Sequence, residues 1–136
     1  MKQLIEVCVA ALILICAAGA QESAKPILRK GVSVRMPVAN HAVVMRAADE
    51  QHATVVAITA DGALFAGIEP IELTALSSLT AETVYVKADA RVPFQKVLTV
   101  LDALGGKPVV LLTAPPANVD RAKIMPPYGI KVSVSK

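Results

Sequence analysis

The chain has 136 residues and a formal net charge of +3 at pH 7; 54% of its residues are hydrophobic, 18% charged and 3% aromatic. That length suits one domain and is too short for two, and the apolar excess excludes a disordered, charge-dominated tail. Two Tyr, two Phe and no Trp give few stacking platforms, which argues against single-stranded nucleic-acid binding. Residues 21–52 carry five basic and three acidic side chains, residues 53–116 four and six, and residues 117–136 four and one. These mildly basic flanks form no dense basic stripe of the kind nucleic-acid readers show. They suit a solvated surface with flanks close to an anionic membrane.

Residues 1–20 read MKQLIEVCVAALILICAAGA, with an apolar or small-residue run from Val7 to Ala20. Both cysteines, Cys8 and Cys16, fall inside it, so no disulfide staples residues 17–136. Two readings compete. A secretory signal needs a positive start, a short apolar core and small residues before the cut; Lys2 and Ala18-Gly19-Ala20 supply these. A membrane anchor needs about 20 apolar residues, and this run has fourteen. Glu6 bears on the choice, because an ionisable group at the edge of an apolar helix is costly and marks a functional site by default.

Residues 21–30 are polar and basic and read as a linker. Val32, Val34 and Met36 alternate with polar or small residues, predicting a strand stopped by Pro37. Residues 38–53 show no clear period. Thr54 to Thr59 is β-branched and strand-like, Asp61-Gly62 is a hairpin turn, and Ala63 to Ala66 returns as the second strand. After a turn bounded by Gly67 and Pro70, Ile71 to Leu79 has helical spacing. Val84 to Ala88 alternates as a further strand. Phe94, Val97, Leu98, Leu101 and Leu104 then form one face of an amphipathic helix. Pro93 suits its start and Gly105-Gly106 its end. Val109 to Thr113 is a buried-strand run, so Val84 to Thr113 predicts a βαβ unit with a parallel pair. Residues 114–127, with four prolines, read as extended, and Ile130, Val132 and Val134 alternate as a last strand.

Little in this pattern carries chemistry. His41 and His52 have no ligand pattern around them, so no metal site is expected. No phosphate loop, nucleophile elbow or Ser/His/Asp constellation occurs. Asp61 reads as a turn residue, Asp102 as the solvent side of a helix, and Asp89 as a carboxylate satisfying turn N–H groups. An enzyme is not expected, and neither is a cofactor.

The stretch Val84-Tyr-Val-Lys-Ala-Asp89-Ala-Arg-Val-Pro-Phe94, then Val97 to Leu104 and Val109 to Thr113, resembles the biopolymer transport ExbD/TolR family. Gly31 to Pro37, Val55 to Thr59 and Asp61-Gly62 agree with it, so the resemblance covers residues 31–116. Members are single-span inner-membrane proteins with a small periplasmic α/β domain and an acidic residue early in the span. Leu4-Ile5-Glu6-Val7 matches that place, with Glu for the usual Asp. Arg35 departs from the family, which tends to be acidic or polar there, and the span is short.

The expected fold is therefore α/β. A single N-terminal transmembrane helix or signal peptide (1–20) and a linker (21–30) precede a small mixed-sheet domain (31–116) of about five strands and two helices. A Pro-containing tail (117–136) holds a terminal dimerisation strand. The resemblance implies an accessory subunit of a proton-motive-force-driven complex of the ExbB–ExbD or TolQ–TolR type, supporting transport across the cell envelope. Glu6 would be its proton-coupling residue. Implied partners are an ExbB/TolQ-like membrane protein, a TonB/TolA-like protein, a second copy of the chain, and peptidoglycan as a further candidate, with no nucleic acid. The implied location is the inner membrane, with the C-terminal domain in the periplasm. The alternative is a secreted periplasmic binding or adaptor module that kept the domain and lost the proton-coupled span.

Overall fold

The β-branched and apolar runs that begin at Thr54, Val84 and Val109 become strands, and the turns at Asp61-Gly62 and Gly67 fall where the sequence predicts them. The computed structural model describes residues 31–120 and 125–133. Its strands are β1 (Val43–Val44), β2 (Thr54–Ile58), β3 (Leu64–Ala66), β4 (Glu69–Pro70), β5 (Val84–Ala88), β6 (Val109–Thr113) and β7 (Tyr128–Val132). They form one mixed sheet in the order β1-β7-β6-β5-β2-β3-β4. The centre is parallel, with β5 between β2 and β6, and antiparallel strands flank it on both sides. The protein is thus a mixed α/β domain. Its strand count exceeds the expected five because β1 and β4 are two-residue strands, too short to show a period.

One α-helix, α1 (Phe94–Ala103), joins β5 to β6 and completes the expected βαβ unit. Gly105 and Gly106, at φ +66° and +80°, end it in the left-handed conformation that glycine adopts without strain. The segment from Ile71 to Leu79 forms a 3-10 helix over Leu73–Ser78 rather than an α-helix. Leu76 is its fully buried residue, and the partly buried Leu73, with Ile71 and Leu79 at the ends of the segment, packs against the same core beside α1. The main core lies between these helices and the sheet. Val56, Ile58, Val84, Val86 and Val109 meet Leu76, Val97, Val100 and Leu104 there. Each such aliphatic side chain contributes about 1.5–3 kcal/mol by leaving water.

The helix face differs from the one expected. Val97, Val100 and Leu104 point inward, whereas Phe94 is 71% exposed and Leu98 37% exposed. Val92, in the lead-in to the helix, packs against the core instead, so the first turn starts beyond the sheet.

Strict alternation along β5 sends Tyr85 to the other face, where it joins Met45, Val110 and Leu112 in a smaller cluster. Met36 and Ala48 cover that cluster in part. Here a second expectation is corrected: Val32 to Met36 is not a strand. Val32, Val34 and Met36 are half-buried and Ser33 and Arg35 exposed, as the alternation requires. The backbone, however, runs as a strap tied at its end, with Ala90 N–H donating to Arg35 C=O (2.7 Å) and Ala114 N–H to Pro37 C=O (2.9 Å). Alternation determined which residues are buried, not which strands pair.

The terminal strand begins earlier than expected, at Tyr128, and pairs along its whole length with β6. Val134, residues 1–20 with Glu6, and the linker 21–30 lie outside the described residues. Among the described residues no helix is long and apolar enough to cross a membrane.

Gly129 packs β7 onto the smaller cluster. A Cβ there would stand 2.9 Å from Leu111 O and from Val110 Cγ1, and 3.2 Å from Met45 Cγ. Gly129→Ala is expected to destabilise the domain by about 1–3 kcal/mol, the usual range for overpacking. Urea unfolding followed by far-UV circular dichroism checks this.

Candidate functional site

Polar interactions concentrate at the C-terminal end of the parallel strands, where β5 gives way to α1. Asp89 is the first residue past β5 and is 4% exposed. Its backbone N–H donates to Ile58 C=O at the end of β2 (2.9 Å), and its C=O accepts from Val92 N–H (3.0 Å). The carboxylate accepts four more bonds. Oδ1 takes Arg91 N–H (3.0 Å) and Arg91 Nε (2.8 Å); Oδ2 takes Arg91 Nη2 (3.0 Å) and Arg35 N–H (3.1 Å). The fork of Arg91 matches the carboxylate with two parallel bonds.

These bonds have an electrostatic consequence. The hydrogen-bonded Arg91 guanidinium, helped by the N–H groups of Arg91 and Arg35, holds the Asp89 carboxyl well below the usual carboxylate range. The same pair raises Arg91 above its ordinary value. With all its acceptor directions engaged, Asp89 is suited to fixing backbone and not to moving protons near neutral pH.

The β2–β3 hairpin turns at Asp61-Gly62 as expected, with Gly62 at φ +84°. Thr59 Oγ1 donates to the Asp61 carboxylate, which also accepts from Ala63 N–H (3.4 Å). These bonds, the Thr59 one first, lower the Asp61 pKa. His41, His52 and Asp102 are exposed, each in a different part of the fold. Among the described residues no group of three or more His, Cys, Asp or Glu could hold a metal ion. A shallow groove at the opposite end of the sheet is lined by Thr83, Gly106, Lys107 and Lys131. Lys107 Nζ donates to Ser77 C=O there (2.8 Å).

A further feature is the outer edge of β7. Among the described residues β1 covers it, at Tyr128 and Gly129, and Met45 N–H donates to Pro127 C=O in the same register (2.7 Å). Alternation along an antiparallel strand then aims the N–H and C=O of Lys131 outward, beyond the end of β1. Of the residues singled out in the sequence, Ile130 and Val132 lie on this strand, and Ile130 is 41% exposed.

Asp89 satisfies a turn N–H, that of Arg91, as its place past a strand end predicts, but the sequence did not reveal its pairing with the Arg91 side chain and with Arg35. Asp89 and Arg91 stand two residues apart, a visible signal. The part of Arg35 is played by its backbone, fifty-four positions away, and side-chain type says nothing about that. No protein-family model matches the chain, and no curated protein is significantly similar to it.

A carboxyl whose pKa is lowered on folding stabilises the fold in full above its unfolded value of about 4, and loses that contribution as pH falls below it. Wild-type stability is therefore expected to drop below about pH 4. Asp89→Asn should be less stable at neutral pH and flatter in the acid range. Urea midpoints across a pH series check both, and faster hydrogen exchange at the Arg35 and Arg91 amides should accompany the substitution.

Proposed function

We propose that the chain is an accessory subunit of a proton-driven, energy-transducing complex of the cell envelope, resembling the ExbD/TolR family. What carries this is the order of features: an apolar N-terminal run with the acidic Glu6 at its edge, then a linker, then a small mixed α/β domain. The βαβ unit from Val84 to Thr113, with Asp89 at its strand end, is the part of the resemblance with the most residues in order. Asp89 is engaged by backbone N–H groups and by the Arg91 side chain, and the resemblance gives the proton-coupling role to Glu6.

In this function the apolar run is a membrane anchor, surrounded by an ExbB/TolQ-like partner. Protonation and ionisation of Glu6 are coupled to displacement of that span. The domain on the far side of the linker engages a TonB/TolA-like protein, with peptidoglycan as a further candidate. A second reading, a secreted adaptor module, is favoured by Ala18-Gly19-Ala20 before Gln21.

Two measurements test this. Glu6→Gln keeps size and hydrogen bonding but cannot ionise, so proton-dependent uptake or envelope integrity should be lost in a complementation assay at normal membrane levels. Glu6→Asp should retain at least part of the activity. Full activity of the Gln variant would remove Glu6 from the mechanism, and a soluble product beginning at Gln21 would make the adaptor the leading function.

Self-association is assigned to the open edge of β7, since an exposed strand edge is a template for a second chain. Lys131→Pro removes an outward N–H and leaves the β6 ladder intact, a position where proline is tolerated. Dimerisation, followed by sedimentation at matched concentration, should weaken while circular dichroism stays unchanged. Unaltered sedimentation would place the dimer contact elsewhere.

A further inference from the structure

Both cysteines fall in residues 1–20, so the sulfur of the folded domain belongs to Met36, Met45 and Met125. Two of these methionines meet. Met45 is 8% exposed and lies in the cluster with Tyr85, Val110 and Leu112, while Met36 is half-buried and packs the strap against that cluster. Met45 has little room. Its N–H is bonded to Pro127 C=O (2.7 Å), and its Cγ stands 3.2 Å from where a side chain on Gly129 would begin.

The strap that carries Met36 is lightly fastened. No residue from Gly31 to Asn40 is fully buried. Backbone bonds pin it on either side of Met36. Arg35 N–H donates to Asp89 Oδ2 (3.1 Å), Ala90 N–H to Arg35 C=O (2.7 Å) and Ala114 N–H to Pro37 C=O (2.9 Å). Between these ties the apolar contact of the Met36 thioether holds the strap down on the sheet, and that side chain is open enough to be reached from water. Thioethers of this kind are the ones peroxide oxidises, and the product is polar where the reactant was apolar.

We propose that Met36 is an oxidation-sensitive fastening of the strap, modified by hydrogen peroxide. The sulfur attacks one peroxide oxygen, so that an S–O bond forms and the O–O bond breaks. The proton on the transferred oxygen passes to the departing one, which leaves as water. Sulfur gives up two electrons and peroxide takes them, and the product is methionine sulfoxide. A polar S–O group left against an apolar cluster is costly, so the oxidised side chain turns to water and the strap keeps its backbone bonds alone. Met45 then comes within reach of a second peroxide. Methionine sulfoxide reductase reverses the first step. Neither a membrane anchor nor a partner protein is needed for this response.

The full chain is treated with millimolar hydrogen peroxide, and sulfoxide at each methionine is followed in time by peptide mass spectrometry. Met36→Leu keeps an apolar side chain of similar volume that cannot take up oxygen, and Met36→Gln puts a polar group there without any oxidant. In the wild type Met36 should be oxidised first and Met45 after it, whereas in M36L Met45 should stay reduced over the same exposure. Oxidised wild type and untreated M36Q should both exchange the amide protons of Arg35, Ala90 and Ala114 about 5- to 10-fold faster, as losing part of one buried methionine side chain implies. The Ile71 amide, bonded to Leu64 C=O (3.0 Å) at the far side of the sheet, should exchange as before. Reductase should restore the treated wild type. Oxidation of Met45 as early as Met36, or equally in M36L, overturns the assignment. Unchanged strap amides in oxidised wild type or in M36Q overturn it too. Faster exchange in treated M36L would give the response to Met125 or the cysteines, and faster exchange that includes Ile71 would make the effect global; either result overturns the local fastening.

Discussion

The buried carboxylate of Asp89 joins four parts of the chain at one point. Through its backbone it closes the parallel pair β2–β5 at Ile58 and starts the lead-in to α1 at Val92. Through its side chain it fixes Arg91 and holds Arg35 at the end of the strap. A polar group this buried is costly unless its bonds are all made, and here each oxygen takes two donors. The arrangement works because a strand end leaves N–H groups that the ladder no longer satisfies. One ionised side chain can collect several of them.

Around this point the sheet divides its work between two faces. The helix face is an aliphatic core of valine, isoleucine and leucine side chains, completed by α1 and by Leu76 with Leu73 beside it. The other face has only a small cluster around Tyr85 and Met45, covered by the strap and the segment after it. The tie at Asp89, together with the Ala90–Arg35 and Ala114–Pro37 backbone bonds, holds Met36 over that cluster. Gly129 is the counterpart on β7, where a Cβ would stand 2.9 Å from Leu111 O and from Val110 Cγ1.

The two edges of the sheet are also unequal. At one, β4 ends in Pro70, whose missing N–H blunts further pairing. At the other, β1 stops after two residues and leaves part of β7 open.

The local signals in the sequence determined much of the domain. The β-branched runs Thr54–Ile58 and Val84–Ala88, the Asp61-Gly62 turn and the Gly105-Gly106 stop each express a preference that needs no distant partner, and each is where the pattern put it. The parallel pairing of β5 and β6 followed from the helix between them, since such strands need a crossover. Tertiary structure decided the rest. Residues 32–36 have a strand's alternation, yet the N–H and C=O groups of Arg35 went to Asp89 and Ala90, a choice that depends on a carboxylate fifty-four positions away. Phe94 fits the periodic stripe, but the end of β5 sets where α1 first meets the sheet, and Val92 takes the inner place. Periodicity is a property of one element, whereas pairing and docking depend on which other backbone reaches it first.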